Sequence, residues 1–145
     1  MEKGYLSLVL HAHLPYVRHP EHRDFLEEDW LFEAITETYI PLINVFEGLI
    51  RDNVPFQITV SLSPTLMAMF RDGLLQDRYV AHINSLIELT YKEIDRTRFQ
   101  PEFNNLAHMY KDKFENARYV FCDKYHKDLT NAFKWFLETG KVEVI

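Results

Sequence analysis

Two histidines one residue apart, His11 and His13, stand where an apolar run, Tyr5 to Leu10, gives way to a polar stretch. Side chains alternate between faces along a strand, so an H-x-H pair spaced by Ala12 aims both imidazoles the same way, able to hydrogen-bond one ligand or to coordinate one metal ion. In parallel α/β folds ligands bind at the carboxyl ends of strands, and the pair falls at such an end. Two ligands do not define a metal site, however, and strand-end histidines bonded to backbone leave the same short pattern. Aromatic residues crowd the next segment: Tyr16, Phe25, Trp30 and Phe32. Pyranose C–H faces pack on such rings while sugar hydroxyls take hydrogen bonds; core packing near a helix start is the alternative use. Glu143 sits inside the apolar run from Val142 to Ile145. An unpaired buried carboxylate is costly, so it faces solvent, pairs with a cation or lines a polar site. The clusters Glu27-Glu28-Asp29 and Asp123-Lys124 read as solvated faces and helix caps.

Other chemistries lack their residues. No G-x-x-x-x-G-K, G-x-G-x-x-G, G-x-S-x-G or C-x-x-C pattern occurs, so nucleotide, serine-hydrolase and thiol-redox readings have no support, and no cofactor is implied. With 22 acidic against 16 basic residues and no Lys/Arg run, the chain offers nothing to track a phosphate backbone, and nucleic acid is not an expected partner. No stretch reaches the ~20 apolar residues needed to cross a bilayer. The lone Cys122 cannot form an internal disulfide, and His11 and His13 cut short the first apolar run. A cytoplasmic protein without a signal peptide is the expectation.

The elements that must position these residues follow from patterning. Tyr5 to Leu10 reads as a strand buried on both faces. The stretch from His13 to Asp29, with Pro15 and Pro20, is a long loop. Helical spacing of Leu31, Ala34, Ile35, Ile40, Ile43, Phe46 and Leu49 predicts a helix from Trp30 to about Asp52, with Asp29 as N-cap and a kink or split at Pro41. Phe56 to Leu62 alternates as a strand, with Gln57, Thr59 and Ser61 on its polar side. Ser63-Pro64 opens a helix to about Arg71. Further helices are predicted from Leu74 to about Arg96, Pro101 to about Phe121 and Lys124 to Thr139, with Gly140 at the C′ position. Lys141 to Ile145 alternates as a third strand and stops inside an element, so a piece of a longer protein is expected. Strands so far apart in sequence favour parallel α/β crossovers. At 145 residues, 47% hydrophobic, the chain is one domain's worth of core-forming sequence.

The segment from Gly4 to Arg18, G-Y-L-S-L-V-L-H-A-H-L-P-Y-V-R, resembles the first conserved region of glycoside hydrolase family 57, in its branching-enzyme and α-amylase-like subgroup. Glu28 to Leu42, which contains W-L-F-E-A-I-T-E-T-Y-I-P-L, is similar to a second segment of that subgroup. Ser61 to Leu66 resembles the end of its second strand, and Gly140 to Ile145 the opening of its second conserved region. The resemblance implies the N-terminal portion of a (β/α)7 incomplete TIM-like barrel, with residues 1–145 as the first part of one catalytic domain and a long helical insertion between its second and third strands. It implies a retaining 1,4-α-glucan branching enzyme acting on amylose, glycogen or maltooligosaccharide, with α-amylase-type hydrolysis as the alternative. The Glu nucleophile and Asp acid/base are expected beyond Ile145, leaving no catalytic residue here; two carboxyl groups about 5–5.5 Å apart are what retention needs. By the same resemblance His11 and His13 lie on the floor of the donor-sugar site, Tyr16 and Trp30 belong to the substrate site, and Glu143 is the strand-three glutamate in or near it. No metal is implied. Phe25 is a departure, since some branching enzymes place there a tryptophan that gates the acceptor groove. Two further readings are a metal-dependent deacetylase or mannosidase-like hydrolase using the histidines as ligands, and a non-catalytic glucan-binding module.

Overall fold

The computed structural model describes Gly4 and residues 6–145. Its centre is β2 (Ile58–Leu62), flanked by β1 (Val9–Ala12) and β3 (Val142–Val144) in the order β1-β2-β3, with both pairings parallel. Register partners in neighbouring strands point to the same side, so the pairing sorts the side chains onto two faces. Leu10, Ala12, Val60, Leu62 and Val142 lie on one face, packed under helices, with Val60 and Val142 fully buried. Val9, His11, Thr59, Ser61 and Glu143 share the other face, where Val9 is opposite Thr59, His11 opposite Ser61, and Thr59 opposite Glu143.

The parallel α/β expectation therefore holds, but two-sided burial of the first strand does not. Leu6 is 95% exposed and Leu8 and Val9 are more than half exposed: Val9 lies on the face that no helix covers, and Leu6 and Leu8 precede the strand. The strand begins at Val9 and runs through His11 to Ala12. Tyr5 lies outside the described residues.

Helix α1 (Leu26–Ala34) starts earlier than the apolar spacing indicates, with extended Phe25 at its N-cap. Asp29 thus lies inside the first turn with Glu27 and Glu28, where carboxylates favour the helix dipole, and does not cap. A π-helical turn, Ile35–Tyr39, joins α1 to α2 (Ile40–Arg51). This turn replaces the expected kink at Pro41. The ladder is already shifted to Ile40 N–H donating to Ile35 C=O, Pro41 falls in the first turn of α2, and the backbone stays helical through Ile40 (φ −65°, ψ −45°).

Helix α3 (Pro64–Phe70) begins as expected: Ser63 Oγ accepts from Leu66 N–H at 3.3 Å, and Pro64 occupies the first turn, where no N–H is needed. Asp72 caps α4 (Gly73–Arg96) in the same way, accepting from Leu75 N–H at 3.1 Å. α5 (Pro101–Tyr119) packs back against α4 and ends in a second π-helical turn, Val120–Lys124. The helix expected from Lys124 forms only as α6 (Thr130–Glu138). His126 (φ 52°) and Lys127 (φ 68°) turn the chain through the left-handed region first, and Asp128 then accepts from Thr130 N–H at 2.9 Å. Gly140 (φ 68°) closes α6 as predicted, donating its N–H to Leu137 C=O. The core between helices and sheet is aromatic, built on Phe70, Tyr79, Phe121, Phe133 and Phe136, each at most 2% exposed. Among the described residues no helix is long and apolar enough to cross a membrane.

Candidate functional site

The uncovered sheet face is the place to look for chemistry. His11 and His13 lie on it side by side, their rings 5.7 Å apart and within 8° of parallel, as strand alternation requires. Both are exposed. Ser61 stands across from His11, and one step back Thr59 Oγ1 donates to Glu143 Oε2 at 2.7 Å. Glu143 is thus exposed and held by a neutral hydroxyl, on the same face as the histidine pair. Two strands and two residues separate it from His11, which at ordinary sheet spacings puts their Cα atoms about 12 Å apart. A ligand touching both must extend across all three strands.

Two recesses lie beside these residues. One, of about 470 Å³, opens at the edge of β1 toward the helix-covered side, with Leu10, Val60 and Phe133 in its wall beside His11, His13, Glu37 and Thr38. The other, of about 440 Å³, is polar and includes Ser7, Gln57, Thr59 and Glu143. The first is shaped by the π-helical turn, a feature that recurs at functional sites because one extra residue re-aims the side chains after it. The turn is pinned from behind: Thr36 Oγ1 and Tyr79 Oη, both buried, share a hydrogen bond of 3.0 Å, and Glu37 pairs with Lys113.

The aromatic candidates divide. Phe32 is buried, its ring 5.9 Å from that of Tyr79, so the core reading holds for it. Tyr16 (55% exposed) and Trp30 (48% exposed) present their rings to solvent, Tyr16 from the loop after β1 and Trp30 from α1. The structure brings the histidine pair and Glu143 onto one face; it does not bring Tyr16 or Trp30 into ring contact with His11 or His13 among the described residues. Phe25 stacks between His19 (3.8 Å) and His22 (4.9 Å). Among the described residues no group of three or more His, Cys, Asp or Glu side chains is placed to hold a metal ion.

One expectation is overturned. Glu28 is not a solvated residue: it is 1% exposed, and both its oxygens are taken by Arg78 Nη1, at 2.5 and 2.7 Å. The sequence does carry a signal for this. Glu28 is three, four and seven residues before Leu31, Phe32 and Ile35, on the buried stripe of the helix. Beside it His82, between the Phe32 ring and Asp29, is held below the ordinary histidine range by burial, against the opposing pull of Asp29 and Glu33.

The chain and its fold have known relatives. Residues 7–145 match the sequence model of glycosyl hydrolase family 57. The chain belongs to this family. It is 32% identical over 143 residues to the 1,4-alpha-glucan branching enzyme TK1436 of Thermococcus kodakarensis, covering 99% of this chain and 20% of that relative. The crystal structure of the alpha-amylase AmyC from Thermotoga maritima superposes with a TM-score of 0.90 at 45% identity, over 96% of this chain and 26% of AmyC. The family 57 branching enzyme of Pyrococcus horikoshii gives 0.89 at 29% identity, over 99% and 27%. The chain therefore spans about a quarter or less of the length of these family 57 relatives.

Proposed function

We propose that residues 1–145 are the first part of a retaining α-1,4-glucan branching enzyme, supplying three strands and the helical insertion of one (β/α)7 barrel domain. The observation that carries this reading is the open sheet face, on which His11, His13 and Glu143 lie at one surface in a chain that matches branching enzymes along almost its whole length. Such a face offers what a neutral polyol needs: imidazole, hydroxyl and carboxylate groups spaced for several sugar hydroxyls, with half-exposed Tyr16 and Trp30 as stacking rings.

In this account His11 and His13 hydrogen-bond hydroxyls of the donor sugar, and Glu143, aimed by Thr59, takes a hydroxyl further along the glucan. The nucleophile Glu and the acid/base Asp come from chain outside residues 1–145, so these residues alone carry out no transfer. Retention sets the requirement on that missing pair, two carboxyl groups about 5–5.5 Å apart across the scissile bond. The substrate class is α-glucan: amylose, glycogen or maltooligosaccharide.

Hydrolysis of the α-amylase type is the second reading, favoured by the 45% identity to AmyC and by Phe25 at the loop position where some branching enzymes have a tryptophan. Proton NMR separates the two. The protein that carries this chain with the rest of its catalytic domain is given amylose, and new α-1,6 linkages without a matching rise in reducing ends are the expected product. Reducing ends alone would assign an amylase.

A further inference from the structure

The loop of residues 14–25 leaves β1 directly after His13 and carries Tyr16. Its polar composition suggests freedom, yet it is stitched down along its length. Thr65 Oγ1 donates to Leu14 C=O at 3.2 Å, Val17 is buried against Met69, and Arg18 Nε reaches Asp72 at 2.7 Å. The last stitch is the densest. Arg78 Nη1 bonds both oxygens of Glu28 and the carbonyl of His19 at 3.2 Å, Arg78 Nη2 donates to the carbonyl of His22, and Glu28 Oε1 accepts from His19 N–H at 3.0 Å.

We propose that Glu28 and Arg78 are positioning residues, a latch that fixes the 14–25 loop at the carboxyl end of the sheet so that Tyr16 is presented to an α-glucan. The glucan half of this inference rests on the proposed function; the latch itself does not. A buried ion pair is weak evidence of a stabilising role, because desolvation offsets its attraction and apolar side chains hold two helices together as well. What apolar side chains cannot do is satisfy two loop carbonyls and a loop N–H. The Glu28 and Arg78 side chains, 2% and 17% exposed, make five hydrogen bonds in one place, and three of them are to loop backbone. The planar guanidinium is suited to this because its donors spread in fixed directions, whereas a lysine would act as a single point. Helix α4, part of the crossover between β2 and β3, thereby dictates where a loop following β1 stands.

The test compares wild type with the double variant Glu28→Leu/Arg78→Leu and with Arg78→Lys. Amide hydrogen exchange is read at His19 to Arg23 and, as a control, at buried positions of α1 and α4. Turnover of maltoheptaose is read in the protein that carries this chain with the rest of its catalytic domain. The latch predicts loop exchange at least tenfold faster in the leucine pair with helix protection kept, partial recovery in Arg78→Lys relative to the leucine pair, and KM raised severalfold with kcat little changed. Loop exchange equal to wild type with intact helices overturns the latch. If the leucine pair does not fold, Arg78→Lys decides the matter on the same exchange readout. A loosened loop with unchanged KM overturns the link to glucan. A wild-type protein inactive on glucans overturns the proposed function, and exchange alone still decides the latch.

Discussion

Removing the hydroxyl of Tyr79 tests how the π-helical turn beside the histidines is held. Tyr79 is fully buried, its ring 4.5 Å from that of Phe121, and its hydroxyl has Thr36 Oγ1 as its partner at 3.0 Å. Burial pushes the Tyr79 hydroxyl well above the ordinary tyrosine range, with the Thr36 hydrogen bond pulling slightly back, which marks a dry environment. In Tyr79→Phe the ring packing remains and Thr36 keeps a buried oxygen without its partner, a loss of about 1–2 kcal/mol. Thr36→Val keeps the shape and strands the tyrosine hydroxyl, a comparable loss of about 1–3 kcal/mol. The double variant removes both oxygens together, so it is less destabilised than the sum by about 1–2 kcal/mol, the coupling energy of the pair. Urea unfolding reads these effects, and with slopes of about 1–3 kcal/mol/M each single change moves the midpoint by roughly 0.5–1 M. Strictly additive effects, within about 0.3–0.5 kcal/mol, would refute the claim that these two hydroxyls hold the turn.

Gly140→Ala forces an L-residue into φ 68° and lowers stability by about 1 kcal/mol, with Gly140→Asn losing less; urea midpoints check both. His82 titrates lower in the folded chain than its unfolded value near 6.5, so between those values the unfolded state binds more protons and stability rises with pH. The contribution is complete above about pH 7 and is lost as pH falls through the interval, with a slope below about 1.4 kcal/mol per pH unit. His82→Asn flattens that slope between pH 5 and 7.5, and Asp29→Asn, which removes the opposing charge, steepens it; midpoints measured across the series show both.

Features set by neighbours in sequence are legible in the sequence itself. The Ser63 cap, the Gly140 stop and the shared face of His11 and His13 all follow from local geometry acting over a few residues, and the parallel order follows from the length of the connections between strands. What was not readable depends on partners far along the chain. Glu28 looks solvated in a run of three acids; its place on the buried stripe of α1 signals burial, but the guanidinium that pairs with it is fifty residues away. The π-helical turn at Ile35–Tyr39 leaves no mark except Pro41, which reads as a kink until the shifted ladder is seen to spare the missing N–H. The break before α6 relies on left-handed His126 and Lys127, where no glycine announces it. Leu6 and Leu8 mark a capacity for burial, and nothing in the strand itself says which neighbours cover them.

The most direct test of the account is the effect of His11→Ala and His13→Ala on glucan turnover by the protein that carries this chain with the rest of its catalytic domain. Loss of a hydrogen bond to a substrate hydroxyl predicts a fall in kcat/KM of about 10- to 100-fold for each. Turnover equal to wild type in both variants would contradict the assignment of this sheet face to the glucan.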